Sequence, residues 1–198
     1  NMTEITTYII DNIYQFLGVI MSIVYVIFSI KENILCWIAL ILAALINMYA
    51  YYLINLPLQS LMQIFFILTA LYGWYNWSKK TEKEPLKIST WSLQTHLSWT
   101  IFGVISTILI TCLLLTLNTN STLYSEYPFL DALMFIFNII PMYMTGKKIL
   151  ESWLYFIIID IISGVFYGLT GEYFFCFLFI CYIFFAAKGY LTWKKQMI

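Results

Sequence analysis

The sequence has no arginine and one histidine, and its charged residues make up only 10% of 198 positions. A soluble domain keeps its surface wet with about a quarter of its residues charged. This chain is 62% hydrophobic with a mean hydropathy of +0.85, so most of its surface must face lipid. It has no glycine-rich phosphate loop and almost no soluble mass, which excludes ATP hydrolysis by this chain. The four cysteines, Cys36, Cys112, Cys176 and Cys181, lack metal-ligand spacing and fall in or beside apolar runs. They are expected to pack as small hydrophobes. No basic stretch precedes the first apolar run; Glu4 and Asp11 do, so the run is expected to remain as a span rather than act as a cleaved signal.

What the sequence does have is apolar runs, each near the roughly 20 residues that cross a hydrocarbon core. Hydropathy and breakers predict helices near 12–30, 34–54, 58–77, 97–117, 128–145, 149–168 and 173–193. Between the third and fourth, "SKKTEKEPLKIST" reads as a solvated linker. The ten lysines alone decide orientation. Lys31, Lys79, Lys80, Lys83, Lys87, Lys147, Lys148, Lys188, Lys194 and Lys195 all fall on one side of a seven-span arrangement. Glu4, Asp11, Glu126, Asp131 and Glu172 fall on the other. The positive-inside rule then puts the N-terminus outside and the C-terminus in the cytoplasm.

An internal repeat lies in the spacing. At one ungapped offset Lys31 falls on Lys147, Trp37 on Trp153, Tyr51 on Tyr167, Gly73 on Gly189 and Trp77 on Trp193. The predicted architecture is all-α and transmembrane, a 3+1+3 bundle of seven helices with a parallel internal repeat. Its units are a first three-helix repeat (1–77), a linker with connector helix and outer loop (78–127), and a second three-helix repeat (128–198). Parallel repeats of this kind occur in transporters that hold substrate near midplane between the halves.

The copies differ at Asp160, which corresponds to Ala44, and at Phe156, which corresponds to Leu40. Trp153, Phe156 and Asp160 stand at i, i+3 and i+7, on one stripe of the sixth helix. An ionisable group at that depth is costly, about 2.5–3.5 kcal/mol on insertion scales, and is usually functional. Two aromatic faces and a carboxylate suit a flat, hydrogen-bonding, cationic ring. Gln63, Asn47 and Asn138 are open between substrate contact and interhelical hydrogen bonding. Tyr72 and Tyr167 complete the candidate binding set. Trp77 and Trp193 are expected in an interfacial aromatic belt, and His96 at the membrane surface. No cofactor, metal or nucleic-acid partner is expected.

"KENILCW", "YGWYNW" and "ESWLYFIIID" resemble the Pnu family of bacterial vitamin transporters, over nearly the whole chain. The family signature W-x-x-W-x-x-x-[N/D] is matched by Trp153 and Asp160, with Phe156 in place of the second tryptophan. Asn47 stands where an aromatic is expected. The resemblance implies a SWEET-like architecture, a homotrimer, and facilitated diffusion across the inner membrane with trapping by a cytoplasmic vitamin kinase. Trp153, Phe156, Asp160 and Gln63 would contact substrate. Nicotinamide riboside is the first expected substrate and thiamine the alternative; riboflavin, neutral and larger, suits a single carboxylate less. An intramembrane enzyme using Asp160 is the rival class, but acid–base or nucleophilic work needs a second group within hydrogen-bond reach. The sequence supplies no second deep acid or base.

Overall fold

The computed structural model describes residue 10 and residues 12–78, 86–117 and 125–197. Glu4, Asp11, Lys79, Lys80 and Lys83, which contribute to the charge partition, lie outside the described residues, as does much of the linker and outer loop. The described residues form seven α-helices: α1 (Ile13–Ile30), α2 (Cys36–Leu53), α3 (Pro57–Ser78), α4 (Leu93–Leu117), α5 (Pro128–Gly146), α6 (Ser152–Leu169) and α7 (Tyr173–Gln196). The fourth helix starts earlier than the hydropathy suggests because Ser92 caps it. Its Oγ accepts the Thr95 N–H at 3.2 Å, as an N-cap serine does for the third helical residue.

All but α3 have both the length and the apolarity of a membrane span, and the protein is a multi-pass membrane protein. Helix α3 is long enough, about 33 Å for its 22 residues, but more polar than the others. Its polarity points inward: Gln59 and Gln63 are buried, and Gln59 donates to Asp131 of α5.

Close packing runs α1–α2–α3–α5–α6–α7 and back to α1, so six helices close into a ring. Helix α4 lies outside the ring, packed closely on α5 and touching α6 through His96 and Thr100, which share hydrogen bonds with Tyr155. At Gly103 a Cβ would stand 2.9 Å from the Phe137 ring, so glycine is what lets the two helices approach this closely.

The repeat is visible atom by atom. Leu56 N–H donates to the Tyr51 carbonyl at 2.9 Å, and Glu172 N–H donates to the Tyr167 carbonyl at 2.9 Å. Glu32 and Lys148 have φ of +53° and +54°, and each directs its N–H to a carbonyl three residues back at 3.0 Å. Trp37 meets Trp77 edge-on at 5.1 Å, and Trp153 meets Trp193 edge-on at 5.3 Å. Equivalent residues also touch one another, which marks a pseudo-twofold axis along the bundle. Trp77 lies 6.3 Å from Trp193, Tyr51 lies 6.1 Å from Tyr167, and Lys148 pairs with Glu32.

The two ends differ in charge. Lys31, Lys147 and Lys148 gather at one, where Ser89 of the linker pairs with the backbone of Lys148 and Leu150. At the other, Gln15 donates to Glu172 at 3.0 Å and Ser125 donates to Asp131. Burial raises the Glu172 carboxyl above its usual range, and the Gln15 hydrogen bond acts against that rise. Trp77 and Trp193 are not an exposed belt. Trp193 is fully buried and Trp77 is half-buried, because each packs on the tryptophan of its own copy and on the other across the axis.

Candidate functional site

Inside the ring lies a cavity of about 60 Å³, bounded by α1, α2, α3, α5, α6 and α7. Asn47 of α2, Gln63 of α3, Asn138 of α5, and Phe156 and Asp160 of α6 all line it. Asp160 stands at the middle of α6 and is 1% exposed. It is the one carboxylic acid of the lining, which holds no lysine, arginine or histidine. Its Oδ1 has no hydrogen-bond partner. A carboxylate oxygen left unpaired in such a place is costly unless something completes it.

Polar groups around the cavity are only partly satisfied. Asn47 donates to Ser22 Oγ at 3.0 Å, while its Oδ1 is unpaired. That oxygen sits where a Cβ on Gly18 would come within 1.9 Å, so glycine at 18 makes room for the amide. Gln63 donates to the Gln59 carbonyl at 3.2 Å, and Asn138 to the Met134 carbonyl at 2.8 Å. Each of these two amides is thus held on its own helix, not by a bond across to a neighbour, and both face the cavity.

Trp153 lies one layer further toward the lysine-rich end. It lines a small adjoining space of about 30 Å³ with Tyr25, Phe156, Asp160 and Tyr182. A Cβ on Gly189 would press on its ring at 2.7 Å, and its Nε1 is unpaired. Two of the candidate residues fall outside both spaces. Tyr72 stacks on Tyr143 at 5.5 Å near the end of α3, because its neighbours Gly73 and Trp77 take the inward positions. Tyr167 stacks on Phe179 at 5.4 Å in an aromatic layer at the opposite end. Its repeat partner Tyr51 reaches the cavity instead and stacks on Phe175 at 4.3 Å.

Ser22, Tyr25, Tyr51 and Tyr182 line the cavity without having been singled out. A signal existed for Ser22. It is the repeat partner of Asn138, as Asn47 is of Ser163, so polar residues stand at equivalent places in both copies. The tyrosines carried no such mark among 16 of their kind.

The volume limits what the site does in this conformation. At about 30 Å³ per water, the space holds about two waters and no vitamin-sized ring. A vitamin-sized ligand must therefore part the helices, and repeat-related aromatics pack toward the two ends: Trp77 with Trp193, and Tyr51 with Tyr167 and Phe175. A small cavity between two copies of a three-helix unit, apolar but for Ser22, Asn47, Gln63, Asn138, Asp160 and the tyrosine hydroxyls, is the build of a membrane transporter.

The comparisons agree with that class. A model of the nicotinamide mononucleotide transporter family matches residues 12–195, and the chain belongs to this family. The chain is similar to the nicotinamide riboside transporter PnuC of Escherichia coli, at 29% identity over 164 residues, 72% of this chain and 69% of the relative. It is also similar to the riboflavin/roseoflavin transporter RibM of Streptomyces davaonensis, at 22% identity over 188 residues, covering 89% and 82%. Among solved structures, that of a vitamin B3 transporter PnuC superposes with a TM-score of 0.76 at 15% identity, over 98% of this chain and 86% of the other. At that identity the match speaks for the fold.

Proposed function

We propose that this transporter moves nicotinamide riboside by facilitated diffusion across a bacterial cytoplasmic membrane. Asp160 carries the reading: it is a lone carboxylate with an unpaired oxygen, in a cavity without a protein cation. A pyridinium ring supplies the missing positive charge, Phe156 and Trp153 supply faces to stack on, and the amides of Asn47, Gln63 and Asn138 supply donors and acceptors for carboxamide and ribose. A mononucleotide fits less well, because its phosphate finds no lysine, arginine or histidine in the lining. The similarity to a riboside transporter supports the same choice.

Thiamine is the second reading, since its thiazolium also brings a cation to Asp160. Riboflavin brings none, although RibM, a relative at 22% identity, is a riboflavin/roseoflavin transporter. In the proposed arrangement residues 1–77 and 128–198 act as the two halves and 78–127 as the connector. The lysine-rich end faces the cytoplasm, where a kinase phosphorylates the vitamin and prevents its return, and the chain assembles as a homotrimer. The test is uptake of labelled nicotinamide riboside into proteoliposomes. Uptake by the wild type that Asp160→Ala abolishes supports the proposal; equal uptake by both overturns it.

A further inference from the structure

The second copy is less tightly closed than the first. The α5–α6 seam is more sparsely packed than its equivalent, α1–α2, and α4 lies over it from outside. The gap between α4, α5 and α6 is a half-open groove of about 470 Å³, far larger than the central cavity. Its walls are apolar, with Phe137 of α5 and Leu154, Ile158 and Ile162 of α6. Ile158 is 64% exposed and Leu154 39%. In a bilayer this opening faces acyl chains.

One end of the groove is built differently. There Tyr155 shares hydrogen bonds with His96 Nδ1 at 3.1 Å and Thr100 Oγ1 at 3.3 Å. Glu151 accepts the Trp91 N–H at 3.2 Å and stands 4.0 Å from His96 Nε2. The Trp91 ring lies 5.6 Å from the His96 ring, which in turn stacks on Tyr155 at 5.8 Å. A carboxylate beside aromatic faces binds an ammonium group, and the hydroxyls and imidazole N–H next to it serve phosphate oxygens. This end lies beside the Ser89–Ile149 bridge, at the lysine-rich boundary of the bundle.

An apolar trough that ends in an acid, aromatics and hydrogen-bond donors at headgroup level matches one amphiphile. We propose that the α4–α6 groove holds a single phospholipid with a zwitterionic aminoalkyl phosphate headgroup, its ammonium on Glu151 and its acyl chain along Ile158. The lipid fills the loose seam on the face of α6 opposite Asp160.

The experiment is native mass spectrometry of the purified protein, titrated with phosphatidylethanolamine or phosphatidylglycerol of identical acyl chains. The wild type is expected to retain one phosphatidylethanolamine per chain, with phosphatidylglycerol at least about tenfold weaker. Glu151→Gln keeps an acceptor for the Trp91 N–H and is expected to lose that preference. Ile158→Trp, a substitution at an exposed position, fills the groove and is expected to abolish retention of both lipids. Equal retention of the two lipids by the wild type overturns the headgroup assignment. Retention unchanged in Ile158→Trp overturns the site, and so does loss of oligomer mass with lipid retention intact, which would give the groove to a second copy of the chain.

Discussion

In the first copy Trp37 covers Gly73, where a Cβ would approach its ring to 2.3 Å; in the second Trp153 covers Gly189, where the approach would be 2.7 Å. Around the central cavity the same register sets Ala44 against Asp160, Leu40 against Phe156, and Phe179 against Gln63. Packing is thus written twice, while the acid, the Phe156 ring and the Gln63 amide are each written once. The difference follows from what each must do. On the proposed function, two copies of a frame supply an axis for movement, and a ligand without twofold symmetry is matched by groups that the symmetry does not repeat.

The largest expected effect comes from removing the unrepeated acid. Asp160→Ala is expected to weaken binding of a cationic vitamin by at least tenfold, about 1.4 kcal/mol, with insertion and melting temperature retained. Calorimetry on the purified variant measures it. Moving the acid sharpens the point: Ala44 lines the same cavity, so Asp160→Ala combined with Ala44→Asp is expected to recover part of the lost affinity. No recovery would show that position, as well as charge, is asymmetric.

The repeated packing is broken at its glycines. Gly73→Ala and Gly189→Ala both drive a methyl into an indole, so each is expected to destabilise the protein by about 1–3 kcal/mol, Gly73→Ala at least as much as Gly189→Ala. Thermal melts in detergent would compare them. An effect in one copy alone would break the equivalence.

The smallest effect is expected at the ion pair on the axis. Lys148 and Glu32 are partly solvated, with side-chain exposures of 10% and 23%, and such pairs contribute up to about 1 kcal/mol. Glu32→Lys is expected to lower the melting temperature slightly, and adding Lys148→Glu to restore it. Failure of the double variant to recover would place the role of these residues elsewhere.

Much of the frame is legible in the sequence because length and apolarity alone define a span, and because tryptophans are few enough for their spacing to reveal a repeat. Asp160 is legible for a related reason: a carboxylate stands out against isoleucines. Tyr72 misleads because it lies in an aromatic run, "YGWYNW", whose glycine and last tryptophan hold the inward face. Tyr25, Tyr51 and Tyr182 escape notice because a tyrosine in an apolar helix is ordinary core until the helices around it are placed. The α4–α6 groove is equally hidden, since its polar end joins His96 of α4 to Glu151 and Tyr155 at the start of α6.

The account rests on a charge pairing between ligand and Asp160, and one titration addresses it directly. Calorimetry would compare nicotinamide riboside with its dihydro form, which has nearly the same shape but no charge on the ring. The account predicts that the charged form binds the wild type at least about tenfold more tightly and that Asp160→Ala erases the difference. Equal affinity of the two forms for the wild type would contradict it.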